Sequence, residues 1–190
     1  LNNDARLLDP GALQGLVDWA LVPGVGTVGC RHVGRDGRLV AAGVRVLPGR
    51  PRPWSPPVEE SREPGLAHAT REAAASSFAC AAVARTTYDA HGPLDARWFP
   101  AGYNDVEYGL RLRRAGLRNV YVGHLTCEHE PGGSRPPTDE LPQILELWRR
   151  YPELSLLGRC QLGVTTVPRA EPLASAARER LRVRVPDPLR

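Results

Sequence analysis

Three short clusters of polar side chains carry the residue types that metal binding and proton transfer need. The first is Asn2-Asn3-Asp4. An aspartate flanked by amides at a strand-to-helix junction offers hard oxygen ligands to a divalent cation; the same tripeptide also reads as a simple turn. The second is Trp98-Phe99-Pro100 followed by Asn104-Asp105-Val106-Glu107. Asp105 falls in the first turn of an expected helix, where the helix dipole favours a carboxylate and a rigid element holds it. A carboxylate so placed can accept a proton from a hydroxyl nucleophile. Asn104 with Glu107 three residues on equally makes an N-terminal capping box. The third is His124, Glu128, His129 and Glu130, an imidazole-carboxylate ligand set or the polar end of a surface strand.

The elements that must position these groups follow from periodicity and turn chemistry. Asp9-Pro10 predicts a helix start with Asp9 as N-cap, and Leu13, Leu16, Val17, Ala20 and Leu21 form its apolar stripe up to Pro23-Gly24. Residues 25–47 read as a hairpin: a strand Val25–Val33, a turn at Asp36-Gly37, and a returning strand Leu39–Leu47. Six prolines in residues 48–65 make that stretch a long surface loop. Residues 73–85, small and apolar, fit a buried strand, with a short helix after them. A helix over 104–114, with Val106 and Leu110 inward, stops at Gly116. Residues 119–122 and 124–130 read as two strands and 131–137 as a break. Glu140 to Arg150 is an amphipathic helix carrying Leu141, Ile144, Leu145 and Trp148, a last helix covers 172–182, and 183–190 is tail.

Composition narrows the class. With 42% hydrophobic and 24% charged residues the 190-residue chain is ordinary for a globular domain with a core, and its apolar runs are too short to span a bilayer. The chain starts at Leu1, contains no methionine and shows no leader, so a native N-terminus upstream is expected. All 25 basic residues are arginine, and the net charge is +4. The arginines gather toward the C-terminal third, a solvated face or a patch suited to phosphate or an anionic membrane surface. No interleaved aromatics or binding motif accompany them, so no nucleic-acid partner is expected. Cys30, Cys80, Cys127 and Cys160 lie at spacings that suit neither a zinc cage nor a disulfide framework, and a reducing cytoplasmic compartment is expected.

Taken together and in order, the clusters resemble the family 2 glycosyltransferases, in particular the branch that builds bacterial cell-envelope polysaccharides. The matching residues are Leu1-Asn2-Asn3-Asp4; Val28-Gly29-Cys30-Arg31, Asp36-Gly37 and Ala42-Gly43-Val44; then Phe99, Asn104-Asp105-Val106-Glu107, Leu110-Arg111-Leu112-Arg113, Ala115-Gly116 and Arg118-Asn119-Val120-Tyr121; and Glu128-His129-Glu130. The resemblance covers about residues 1–135. It implies an α/β fold: the C-terminal, acceptor-side half of a GT-A domain, a mixed sheet flanked by helices, with 136–190 as a helical extension and tail. It implies an inverting, metal-dependent transfer of a sugar from a nucleotide diphosphate sugar to a hydroxyl of a glycan or lipid-linked acceptor. In that reading Asp105 is the catalytic base. Asp4 and His129 hold Mg²⁺ or Mn²⁺, the histidine tilting the choice toward Mn²⁺. Asn2 and Asn3 lie at the donor diphosphate, and Ser76, Ser77, Trp98, Asn104 and Glu107 at the acceptor. Ser76-Ser77 stands where the family carries Thr-Gly, Asn2 replaces the first Asp of the metal motif, and Glu128 the first His of the closing pair. The fragment alone is expected to be inactive, and the intact protein to be cytoplasmic, held at the inner membrane face through its arginine-rich end. The alternative is a degenerate, non-catalytic module of the same fold that binds glycan or a sister subunit.

Overall fold

The computed structural model describes residues 1–46, 53–54, 65, 67–100, 102–130 and 140–152. In chain order its elements are β1 (Ala5–Leu7), α1 (Ala12–Ala20), β2 (Val25–Val33), β3 (Leu39–Ala41), β4 (Arg45–Val46), β5 (Pro53–Trp54), β6 (Arg71–Ala73), β7 (Ala81–Val83), α2 (Arg85–His91), α3 (Asn104–Arg114), β8 (Arg118–His129) and α4 (Leu141–Arg150). Residues 131–137, 172–182 and the tail, for which the sequence predicts a break, a helix and fraying, lie outside the described residues, as does nearly all of 48–65.

The architecture is α/β, built on a mixed sheet. Its centre is the parallel pair β2–β8. The far edge of β8 carries two antiparallel strands, β6 along its first half and β1 along its last residues. The far edge of β2 carries β7 and β3, also antiparallel. Covered on both faces, β2 is buried from Val25 to Cys30, which is why it reads as a continuous small apolar run. One face packs on α1: Val28 and Cys30 of β2 meet Val122, Leu125 and Cys127 of β8 beneath Ala12, Leu16 and Ala20. The other face carries α3 and α4, where Val106, Leu110, Leu147 and Tyr151 close over Val44, Ala74, Ala75 and Phe99. α4, which the sequence assigns to a C-terminal extension, therefore shares a core with α3.

Several local expectations change. Asp9 does not cap α1: Gly11 does, at φ 77, while the Asp9 carboxylate accepts the Thr126 amide and so ties the helix entrance to β8. Of the expected stripe only Leu16 and Ala20 face the core; Leu13, Val17 and Leu21 are exposed. Gly15 explains the offset, because a Cβ there would meet Leu125 Cδ1 at 3.0 Å, so the helix docks by its small-residue side. On α4, Ile144 and Leu147 are buried whereas Leu141 and Leu145 are exposed. The returning strand of the first hairpin ends at Ala41; Gly43 turns at φ 73 and Val44 bridges to Ala75. The two strands expected over 119–130 are one, β8. The apparent break at Gly123 is an irregularity: Cys30 pairs Val122 while Arg31 pairs Thr126. Gly123 has no room for a side chain, since a Cβ would lie 2.4 Å from the His68 carbonyl carbon.

The run 73–85 is not a strand but two short ones, β6 and β7, joined by a turn through 74–80. Its small residues serve close packing instead. A Cβ on Gly109 of α3 would stand 2.4 Å from Ala75 Cβ and 2.8 Å from Ala75 Cα, and one on Gly29 would stand 2.8 Å from Ser76 Cβ. Gly109→Ala should therefore destabilise the protein by about 1–3 kcal/mol through overpacking, although alanine is the better helix former. Chemical denaturation measures this, and a stabilised variant would contradict the packing described.

Candidate functional site

The parallel pair β2–β8 brings its carboxyl ends together, and the chain's polar clusters collect there. β1 runs antiparallel to the end of β8 with Ala5 opposite His129, so the residue before β1 arrives beside the histidine. His129 Nε2 stands 3.5 Å from Asp4 Oδ1. The side chains flanking His129 turn to other partners: Glu128 pairs Arg6 at 3.1 Å, and Glu130 Oε1 accepts the Arg35 amide at 2.6 Å. His124 is exposed, 3.5 Å from the Thr70 hydroxyl. The third cluster is thus divided, and only His129 joins Asp4.

Asp105 reaches the same end of the sheet from the opposite layer. Schellman closure fixes α3 at its far end, with Gly116 at φ 85 donating to the Arg113 carbonyl and Leu117 to Leu112. At the near end the N-cap is Tyr103, a non-glycine residue at φ 59, a strained conformation of the kind that collects at functional sites. Its hydroxyl donates to Glu140 Oε2 at 2.8 Å, anchoring the entrance to the start of α4. The expected capping box does not form: Asn104 Oδ1 accepts the Asp105 amide (2.8 Å), and Asp105 Oδ1 accepts the Val106 amide (2.8 Å).

The turn through 77–80 links the two halves. The Phe78 amide donates to Asp105 Oδ2 at 3.4 Å, and the Ala79 carbonyl accepts the Asn2 amide at 2.8 Å. Asn2, two residues before Asp4, and Asp105 therefore both bond one turn near the carboxyl end of the parallel strands, the position where open α/β sheets take their ligands. Asn2 and Asn3 are exposed beside Asp4, Ser77 is half-buried in the turn, and Asn104 is half-buried next to Asp105. Trp98 is exposed on the connection into α3, with the Arg97 guanidinium 5.9 Å over its ring.

Two residues assigned to the acceptor lie inside the protein. Ser76 is buried, its hydroxyl 3.0 Å from that of Thr27. Thr27 in turn binds Asn119, whose side chain also donates to the Ala74 and Gly109 carbonyls. Glu107 is buried between α3 and α4, taking Arg111 at 2.9 Å and Tyr151 at 3.2 Å. Both side chains are buried and spend their polar atoms on neighbours inside the protein. A hollow of about 620 Å³ lined by Arg31, Asp36, Arg38 and His68 includes none of the expected site residues.

The sequence reading missed what lies beneath Asp4 and His129. β2 places Cys30 and His32 on the α1 face, β8 places Cys127 and His129 there, and Cys80 closes the group. The thiol of Cys30 is pushed up by hydrogen bonding to Cys127 and Cys80 and by burial, so it stays protonated and inert. His32 is 2% exposed, and its ring stands edge-on to that of His129 with centroids 6.0 Å apart. Burial, chiefly, lowers its pKa, and His129 adds to that, against the opposing effects of Cys127 and a hydrogen bond to the Cys80 backbone. The ring is therefore neutral at pH 7. The signal was legible as an i, i+2 repeat of Cys and His on both strands, but only once the strands are known to be neighbours.

No protein-family model matches the chain. Among curated proteins it is similar to the O-antigen biosynthesis protein RfbC of Myxococcus xanthus, 35% identical over 156 residues, which is 80% of this chain. It is also similar to the uncharacterized protein y4gI of Sinorhizobium fredii, 28% identical over 142 residues, or 73% of this chain. The chain spans 12% and 16% of the lengths of these two relatives.

Proposed function

We propose that this chain is the acceptor-side part of a glycosyltransferase of the GT-A type and of family 2. In this reading the enzyme moves a sugar from a nucleotide diphosphate sugar to a hydroxyl of a glycan or lipid-linked acceptor during polysaccharide synthesis. The observation that carries the proposal is the meeting of Asp4 with His129, while Asp105 approaches the same turn from the other layer. A relative named for O-antigen biosynthesis supports the same class of substrate.

The residues fit a divalent cation. A carboxylate oxygen and an imidazole nitrogen 3.5 Å apart can share one ion without moving far, and this mixed set suits Mn²⁺ as well as Mg²⁺. When bound, the cation supplies neutralisation of the departing diphosphate. The chain's own residues do the rest. Asn2 and Asn3 offer amides to the phosphates. Asp105, held by the Val106 and Phe78 amides, takes the proton from the acceptor hydroxyl as its oxygen attacks the anomeric carbon from the side opposite the leaving group. One such displacement inverts the anomeric configuration. Ser77, Asn104 and Trp98 remain to orient the acceptor, since Ser76 and Glu107 are committed to the core. Among the described residues no helix is long and apolar enough to cross a membrane. A lipid-linked acceptor would be met at the membrane surface, where the arginine-rich C-terminal end attracts anionic lipid.

The test is a titration of uridine and deoxythymidine diphosphate into the full-length protein with and without Mn²⁺. Binding of one nucleotide should depend on Mn²⁺ and weaken at least about tenfold in Asp4→Asn, the range seen when a metal site loses a supporting group. Metal-independent binding that Asp4→Asn leaves unchanged would defeat the assignment. Metal-dependent binding without sugar transfer would favour a non-catalytic module of the same fold.

A further inference from the structure

Beneath the Asp4–His129 pair lies a buried polar atom with nothing to bind. His32 Nε2 has no hydrogen-bond partner among the described residues, although the side chain is almost fully enclosed. Buried polar groups are satisfied in the great majority of cases, so an orphan calls for a cause. The rest of the ring is not idle: it hydrogen-bonds the Cys80 backbone, which for an imidazole means a ring N–H donating to the carbonyl. With that N–H on Nδ1, the neutral ring carries its lone pair on Nε2. A backbone carbonyl that fixes the tautomer and leaves the other nitrogen as an acceptor is the usual arrangement of a metal-site histidine.

The placement agrees with the chemistry. In the β2–β8 register His32 lies opposite Cys127, two residues before His129, and the two imidazoles stand edge to face. A hydrophobic residue would suit this apolar strand better, as the burial of Val28 and Cys30 on the same face indicates. Among the described residues no three such side chains already stand close enough to grip one ion together. Direct coordination by His32 alongside Asp4 and His129 is therefore not the arrangement.

The geometry points to His32 as an outer-sphere member of the cation site formed by Asp4 and His129, its Nε2 accepting a hydrogen bond from a water of the ion's hydration shell. This rests on the cation reading above. It extends the site from two side chains to three and draws the third from β2, a strand to which no site role was given. With the cation bound, His32 would hold one of its waters, and Asp4 and His129 would hold the ion itself. A cation that keeps several waters and accepts one imidazole, such as Mn²⁺, is the class selected.

The experiment is an electron paramagnetic resonance titration of Mn²⁺ alone into the full-length protein, with far-UV circular dichroism confirming the fold of each variant. His32→Asn keeps a donor for the Cys80 carbonyl and removes the atom at the Nε2 position. His32→Gln returns an acceptor near that position. His32→Leu fills the volume with no polar atom and replaces the Asn variant if that one misfolds. His32→Asn or His32→Leu should bind Mn²⁺ roughly tenfold or more weakly, and His32→Gln should recover most of the loss. Wild-type affinity in His32→Asn, where Asp4→Asn has lost it, overturns the role of His32 and leaves the pair intact. Wild-type affinity in Asp4→Asn overturns the cation reading itself.

Discussion

Asp105→Asn should lower sugar transfer by the full-length protein roughly 10²–10⁴-fold, the usual contribution of a positioned general base. The amide conserves shape and still accepts the 2.8 Å bond from the Val106 amide through Oδ1, so the N-terminus of α3 keeps its cap, while its NH2 gives up the longer 3.4 Å bond from the Phe78 amide. What disappears is the ability to take a proton. Loss should therefore appear in kcat, with Mn²⁺ binding at Asp4 and His129 unaltered, because the 77–80 turn separates the two groups. A drop in metal binding together with rate would mean that Asp105 supports the cation rather than the acceptor. An unchanged rate would remove Asp105 from the chemistry altogether. Asp105→Glu tests the placement separately. It retains the carboxylate on a longer arm that starts from the same helical turn, and a base held by two backbone amides should not tolerate the shift.

How far the sequence discloses this arrangement depends on how local the physics is. β2 and α3 are legible to the residue. The first is bounded by Pro23-Gly24 and by the Gly34–Gly37 turn, and the second by Gly116 and an inward pair at Val106 and Leu110. The 73–85 run was not legible. Alanine and serine suit a buried strand and a close-packed turn equally, and the deciding neighbour, Gly109, belongs to another element. Asp9 shows the same limit. Its sequence context is that of a helix cap, but its carboxylate serves a strand more than a hundred positions away. The candidate site divides likewise. The place of Asp105 in the first turn of a helix was readable, whereas its role as a base came from the motif resemblance. The joining of Asp4 to His129 rested on a motif resemblance, because their contact depends on β1 adding to the end of β8. His32 carried no local signal, since a single histidine in an apolar strand reads as a satisfied core residue. Its meaning comes from an unfilled hydrogen bond, which a sequence does not display.

Glu107 offers the sharpest separation between the role its neighbours in sequence suggest and the one the fold gives it. Beside Asn104 and Asp105 it reads as an acceptor-binding carboxylate, yet its side chain is 3% exposed and points between α3 and α4. Oε2 accepts Arg111 at 2.9 Å, Oε1 accepts the Tyr151 hydroxyl at 3.2 Å, and Arg150 stands 3.6 Å away. Removing one partner of a buried ion pair typically costs 3–5 kcal/mol, because the charge left behind has lost both water and counter-ion. Here the guanidiniums have other ties: Arg111 to the His91 and Pro93 carbonyls, Arg150 to Glu146 and Asp95 at 2.7 Å each. Both are also about a quarter exposed. The cost of Glu107→Ala should therefore fall at the lower end, about 3 kcal/mol, which for a chain of this size lowers the melting temperature by roughly 6–12 °C. Since Tyr151 follows α4 directly, its lost partner should loosen that helix first, and hydrogen exchange should rise across 141–150 before it rises in β2. Among molecules that remain folded, the Michaelis constant for the acceptor should stay near its wild-type value. A stable variant with a raised acceptor constant would instead place Glu107 at the substrate, and the packing of α4 against α3 would have to be redrawn.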